Sequence, residues 1–198
     1  MNSIVLDMMK FNLAVIGFLF VVTLQAQIKY ERENRIKKSQ FPDAGLTLIN
    51  GKLKNAKRLK FYKEIDSITK SYEAKFKKNR LWYSIEFDQD GKLEDIEITI
   101  KTTDIPNESY DAVQLYLSDN FKSYKIKKIQ QQYVADGDEN KTLNDAFQNL
   151  LLPSLNYEIM VTGKKENNYE DFEILFDAIG TFKTIRKSLP PNYDHVLY

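Results

Sequence analysis

The chain contains no cysteine. That excludes disulfides, thiol nucleophiles and cysteine-ligated metals, so the stability of the fold must come from packing. Histidine occurs once, at His195, just after Pro190-Pro191 and close to the end of the chain. A Ser-His-Asp arrangement would have to recruit that tail residue, and a histidine-based zinc site would lack ligands. Glycine and proline are few, 7 and 5 among 198 residues. The chain is therefore not of low complexity, and it carries no glycine-rich phosphate loop. No catalytic residue, cofactor or metal is expected.

Long apolar runs are scarce too, and the first has a specific meaning. Lys10 precedes Phe11 to Leu24, which is apolar apart from Asn12 and Thr23, and Gln25, Ala26 and Gln27 follow. As a helix this run spans about 21 Å, short of a hydrocarbon core of about 30 Å. A charged start, a short apolar run and a small residue before a polar stretch make a secretory signal, here over 1–26 with cleavage after Ala26. Asp7 fits such a leader badly, so a start at Met8 or Met9 suits it better than Met1. The expected location is outside the cytoplasm, periplasmic or secreted, with membrane contact only through the leader before cleavage.

Aromatic residues are abundant: 12 Tyr, 12 Phe and a single Trp. The net charge is +1 but unevenly placed. Residues 27–103 carry 18 Lys and Arg against 12 Asp and Glu, net +6, while 104–198 carry 10 against 15, net −5. The basic run Lys52, Lys54, Lys57, Arg58, Lys60, Lys63 is interleaved with Leu59, Phe61 and Tyr62. In a cytosolic protein this pattern would suggest nucleic acid. Export argues against nucleic acid and leaves an anionic envelope component, an acidic protein or a solvated strand face.

The chain also resembles itself. Ser71-Tyr72-Glu73-Ala74-Lys75-Phe76 matches Asn156-Tyr157-Glu158-Ile159-Met160-Val161, and Ile85-Glu86-Phe87-Asp88 matches Ile174-Leu175-Phe176-Asp177. Gly91 follows Asp88 at the spacing at which Gly180 follows Asp177, and Phe41-Pro42 and Ile105-Pro106 each open a helical stretch. The expectation is an α+β fold of two tandem units, each a helix plus four strands, forming antiparallel sheet with the helices on one face. The first unit spans 27–103, with a helix running to about Gly51 and strands near 56–65, 71–77, 82–88 and 93–101. The second spans 104–189, with a helix over 107–120 and strands near 122–134, 155–163, 169–177 and 182–189. An insertion at 136–152 holds a polar loop and a short helix capped by Thr142, with Leu143, Phe147, Leu150 and Leu151 at helical spacing. Residues 190–198 form a tail.

Helix-then-strands, twice, in an exported chain resembles the PepSY-like, or beta-lactamase-inhibitor-protein-like (BLIP-like), periplasmic proteins. The carriers are Tyr72-Glu73 and Tyr157-Glu158, the Phe-Asp-x-x-Gly turns ending at Gly91 and Gly180, and the Pro-led helices. The resemblance implies an antiparallel sheet with one free face that binds proteins or peptides rather than performing catalysis.

Other candidate chemistry reduces to local structure. Asp88-Gln89-Asp90-Gly91 lacks the remaining ligands of a calcium loop and reads as a hairpin turn, and Asp136-Gly137-Asp138-Glu139-Asn140 reads as a solvated loop. No sugar cleft is apparent around the carboxylate pairs Glu94-Asp95 and Glu170-Asp171. The strand alternation places Tyr72, Ala74 and Phe76 toward the helices, with Tyr83, Ile85 and Phe87. Trp82 and Glu86 then fall on the free face beside Lys75 and Lys77. These four residues form the expected partner-binding patch, and the expected partner is an envelope protein or peptide. A structural envelope component or a small-ligand carrier, marked by an apolar cavity between sheet and helices, is the alternative.

Overall fold

The computed structural model describes residues 28, 29, 31–66 and 69–188. The expected leader, its cleavage site, the tail and His195 lie outside the described residues.

Aromatic and β-branched residues at alternate positions dictate strands, and these pair into a single sheet. In chain order the strands are β1 (Ile28–Lys29), β2 (Glu31–Ile36), β3 (Lys57–Asp66), β4 (Thr69–Lys78), β5 (Leu81–Asp88), β6 (Leu93–Ile100), β7 (Ser123–Val134), β8 (Asn156–Lys164), β9 (Tyr169–Asp177) and β10 (Phe182–Ser188). Their order across the sheet is β1-β10-β9-β8-β7-β6-β5-β4-β3-β2. All pairings are antiparallel except the short β1–β10 contact, which is parallel. Among the described residues three α-helices accompany it: α1 (Asp43–Ile49), α2 (Asn107–Asn120) and α3 (Glu139–Phe147).

α1 is followed by β3 to β6 and α2 by β7 to β10, and β6 pairs with β7 to make the sheet continuous. Local chemistry is alike at corresponding places. Pro42 and Pro106 are the N-caps of α1 and α2, where a missing N–H costs nothing. The Asp88 carboxylate accepts from the N–H groups of Asp90 and Lys92, and the Asp177 carboxylate from those of Ile179 and Thr181. Gly91 and Gly180 close these turns at φ of 81° and 83°. Each turn presses on the start of a helix: a Cβ on Gly91 would lie 2.8 Å from Pro42 Cβ, and one on Gly180 2.2 Å from the Ser109 carbonyl oxygen. Tyr72 and Tyr157 both lie on the second strand after their helix.

The core fills the space between sheet and helices and is largely aromatic. Phe41 packs on Phe61, Tyr72 and Phe87, with ring centres 4.9, 5.8 and 5.5 Å away. Tyr116 stacks on Phe182 at 4.5 Å, and Phe147 of α3 stacks on Tyr83 at 4.8 Å. Ala74, Phe76, Ile85 and Phe87 are wholly buried, as the alternation requires.

Some details differ from expectation. α1 stops at Ile49, and Gly51 belongs to the turn that follows. α3 is capped by Asp138, whose carboxylate accepts from the Lys141 N–H, whereas Thr142 lies inside the helix and its hydroxyl donates to the Asp138 carbonyl. An acidic side chain at the N-cap satisfies an otherwise orphan donor, which a residue one turn further in does not. Leu150 and Leu151 fall beyond the helix and stay exposed. β2 has no counterpart in the expectation, because Glu-Arg-Glu-Asn-Arg-Ile shows no apolar alternation; its charges suit an edge strand.

β1 and β2 occupy opposite edges of the sheet, yet one residue separates them in the chain. Laid flat, ten strands would hold the edges about 43 Å apart at about 4.8 Å per spacing, whereas two extended peptide units reach about 7 Å. The sheet therefore curls strongly on itself.

Candidate functional site

Strand register determines which side chains share the face opposite the helices. Tyr62 lies across from Glu73, Glu73 from Glu86, and Glu86 from Asp95. One step along the strands, Lys60 is across from Lys75, Lys75 from Ser84, Ser84 from Glu97, and Glu97 from Gln132. A further step gives Lys77, Trp82, Thr99, Gln130 and Glu158. Nearly every residue on this face is polar, as period two requires for a sheet whose other side is core.

Several of these polar side chains are nevertheless buried: Glu73, Ser84, Glu97, Gln130 and Asn156 all have under a tenth of their surface exposed. Their mutual hydrogen bonds make this tolerable. Ser84 donates to Glu73, and Lys75 Nζ bridges Glu73 at 2.7 Å and Glu33 at 2.9 Å. Gln130 donates to Glu97 at 2.6 Å. Lys183 donates to Asn156 at 2.9 Å, Asn156 to Gln132 at 3.0 Å, and Gln132 to Asp95 at 2.8 Å. The floor of the curled sheet is thus a hydrogen-bonded polar layer.

A hollow of about 650 Å³ opens on this floor. It is lined by Arg35, Arg58, Lys60, Lys75 and Lys128, together with Leu59, Tyr62, Trp82, Tyr83, Ser84, Thr99 and Gln130. Arg35 is on β2 and Lys128 on β7, five strand spacings apart in the sheet order, so only the curl brings them to one cavity. Trp82 is 38% exposed. The Arg58 guanidinium lies 5.7 Å and Lys77 Nζ 5.8 Å from its ring centre, within cation–π range. The chain reaches this arrangement through a β-bulge: the β3–β4 register shifts between Lys57 and Lys60, and Arg58 takes a left-handed φ of 58°. A bulge re-aims a side chain, and here the re-aimed group is the guanidinium above the tryptophan.

The structure thus brings three of the four expected patch residues together. Trp82 and Lys75 line the hollow and Lys77 flanks the indole. Glu86 sits apart, half-buried in a carboxylate group with Asp95 and Glu97. Burial, reinforced by the charges of Asp95, Glu97, Glu64 and Glu73, pushes the Glu86 carboxyl well above its ordinary value. Lys75 moves upward as well: its burial opposes the shift, and Glu73 and Glu33 override it. Sequence reasoning missed Arg35, Lys128 and Gln130, and it held Tyr62 only as an aromatic within the basic run. Arg58 and Lys60 stood within the basic run, but nothing in the sequence tied them to Trp82.

No family profile and no curated protein matches the sequence. Solved structures do match. A DUF2874 family protein from Bacteroides ovatus superposes with a TM-score of 0.54 at 12% identity, covering 79% of this chain and 93% of that one. A protein from Bacteroides eggerthii, provisionally assigned to the periplasm, gives 0.52 at 14% identity, covering 74% and 88%. A BLIP-like protein from Bacteroides fragilis gives 0.49 at 12% identity, covering 80% and 92%, a likeness too loose to carry an argument. The PepSY side of the expected resemblance is not supported. At these identities the likeness establishes architecture: this chain has the fold of the DUF2874 proteins.

Proposed function

We propose that this chain is an exported, periplasmic, non-catalytic binding module of the cell envelope that engages a protein or peptide partner through the free face of its curled sheet. The observation that carries this reading is the hollow around Trp82, a half-exposed aromatic ringed by cations on the face opposite the helices. Half-exposed tryptophan and arginine side chains are the residue types that anchor protein contacts. The provisional periplasmic assignment of a protein of like fold and the leader-like 1–26 segment support export. The inhibitor-like mode, a preformed face receiving part of another protein, rests only on the resemblance of the Tyr-Glu strand starts, the Phe-Asp-x-x-Gly turns and the Pro-led helices to those of BLIP-like proteins.

We also infer that the body arose by tandem duplication, 27–103 and 104–189, with 136–152 inserted in the second unit. The paired Pro-capped helices, the matching Asp–Gly turns and the equivalent strand positions of Tyr72 and Tyr157 support this. The carrier alternative would draw support from an apolar cavity between sheet and helices, whereas the hollow around Trp82 lies on the polar side of the sheet.

The test is capture from envelope extract by the mature protein, by Trp82→Ala and by Leu115→Ser, a change at an exposed position on α2 across the sheet. Wild type and Leu115→Ser are expected to retain the same protein and Trp82→Ala to lose it. Equal capture by Trp82→Ala would refute a binding role for this face.

A further inference from the structure

The charge of the hollow is strongly one-sided. Its lining holds two arginines and three lysines and no carboxylate. Lys75 is neutralised by Glu73 and Glu33. Among the described residues, Arg35, Arg58, Lys60 and Lys128 form no ion pair, and all four are exposed. Covering these cations with a neutral surface would strip their hydration without compensation, so an occupant of this hollow must bring negative charge.

The distribution of the cations narrows the class of anion. They come from β2, β3 and β7 and stand round a cavity rather than converging on one point. A single phosphate is best held by donors that converge on it, often bidentately. Separate cations spaced round an aromatic platform suit separate carboxylates on a flexible backbone, whose methylene stems can lie against Trp82 and Tyr62. The donors of the floor, Gln130 Nε2 and the Ser84 hydroxyl, are already committed to Glu97 and Glu73, so recognition of an anion falls to the cations, with the indole as their platform. The carboxylate group of Glu86, Asp95 and Glu97 lies beside the hollow in the adjoining rows and repels an acidic segment from that side, which limits where it can lie.

We propose that the hollow receives an acidic peptide segment of the partner, its carboxylates meeting Arg35, Arg58, Lys60 and Lys128 and its aliphatic stems lying on Trp82. This rests on the reading of the free face as the binding face and names the chemistry that face selects.

Trp82 is the only tryptophan in the chain, so its emission reports the hollow directly. The mature protein is titrated at low ionic strength with a blocked tetraglutamate peptide, with the matching tetraglutamine peptide and with inorganic phosphate. Saturable change with tetraglutamate, weakened by salt and absent with tetraglutamine, is expected. The double variant Lys60→Gln, Lys128→Gln should bind about tenfold or more weakly with an unchanged thermal midpoint, since both side chains are exposed. Equal response to tetraglutamine, no saturable response to tetraglutamate, or tighter binding of phosphate would each overturn the proposal. Loss of envelope capture by Trp82→Ala alongside any of those results would leave the binding face standing and remove only the acidic-peptide assignment.

Discussion

The guanidinium of Arg58 sits over the Trp82 ring, and it does so from a backbone in the left-handed region. A residue with a Cβ in that region costs about 1–2 kcal/mol relative to ordinary backbone. The bulge therefore holds a conformation that favours glycine in order to place a cation on the one tryptophan.

Replacing Arg58 by Gly removes the cation and relieves the backbone together. The thermal midpoint is expected to hold or to rise by the equivalent of up to about 1 kcal/mol, while affinity at the hollow falls. A midpoint several degrees lower would show that Arg58 is held for stability.

Trp82 and Phe87 lie on one strand with opposite faces. Phe87 is wholly buried and Trp82 is not. Phe87→Ala should cost about 3–5 kcal/mol in denaturant unfolding and Trp82→Ala about 1 kcal/mol. Comparable losses would make Trp82 part of the core and withdraw it from the site.

The turn glycines join helix to sheet. Gly180→Ala strains a φ of 83° and drives a methyl into the Ser109 carbonyl and Ala112. A loss of about 3 kcal/mol is expected. Gly137, at a similar φ but with open space around its Cβ position, should lose less on the same change, about 1 kcal/mol. Equal costs at the two positions would show that the docking of the turn on α2 contributes nothing.

Much of the sheet was legible in the sequence because its signals are local. Alternation of Tyr72, Ala74 and Phe76 with Glu73, Lys75 and Lys77 needs no tertiary knowledge, and neither do Asp88 and Gly91 or Pro106 ahead of α2. What the sequence could not show depends on curvature. Arg35 and Lys128 are 93 positions apart (128 − 35), and they line one cavity because the sheet bends until its edges approach. Glu86 was placed with Trp82 on face alone. It shares that face, two rows from Trp82, but its cross-strand neighbours there are Glu73 and Asp95, which pairing partners decide and alternation does not.

Glu86 gives the fold a pH signature. Burial and neighbouring carboxylates raise its pKa, so between the ordinary and the raised value the folded state keeps a proton that the unfolded state releases. Stability contributed by this group is therefore greatest at low pH and falls as pH rises through that window. Glu86→Gln removes the penalty. It should raise the thermal midpoint at neutral pH, with the difference shrinking as pH falls toward about 4, where the unfolded carboxyl is itself becoming protonated. A gain equal at both pH values would assign the effect to packing.

A photo-crosslinking residue placed at Lys128, on the rim of the hollow, and in a second strain at Leu115, on the helix side, reports which face meets the partner. Irradiation of cells exporting each form is expected to give one discrete adduct from position 128 and none from 115. An adduct from 115 with none from 128 would contradict the assignment of the curled sheet's polar face as the surface that binds.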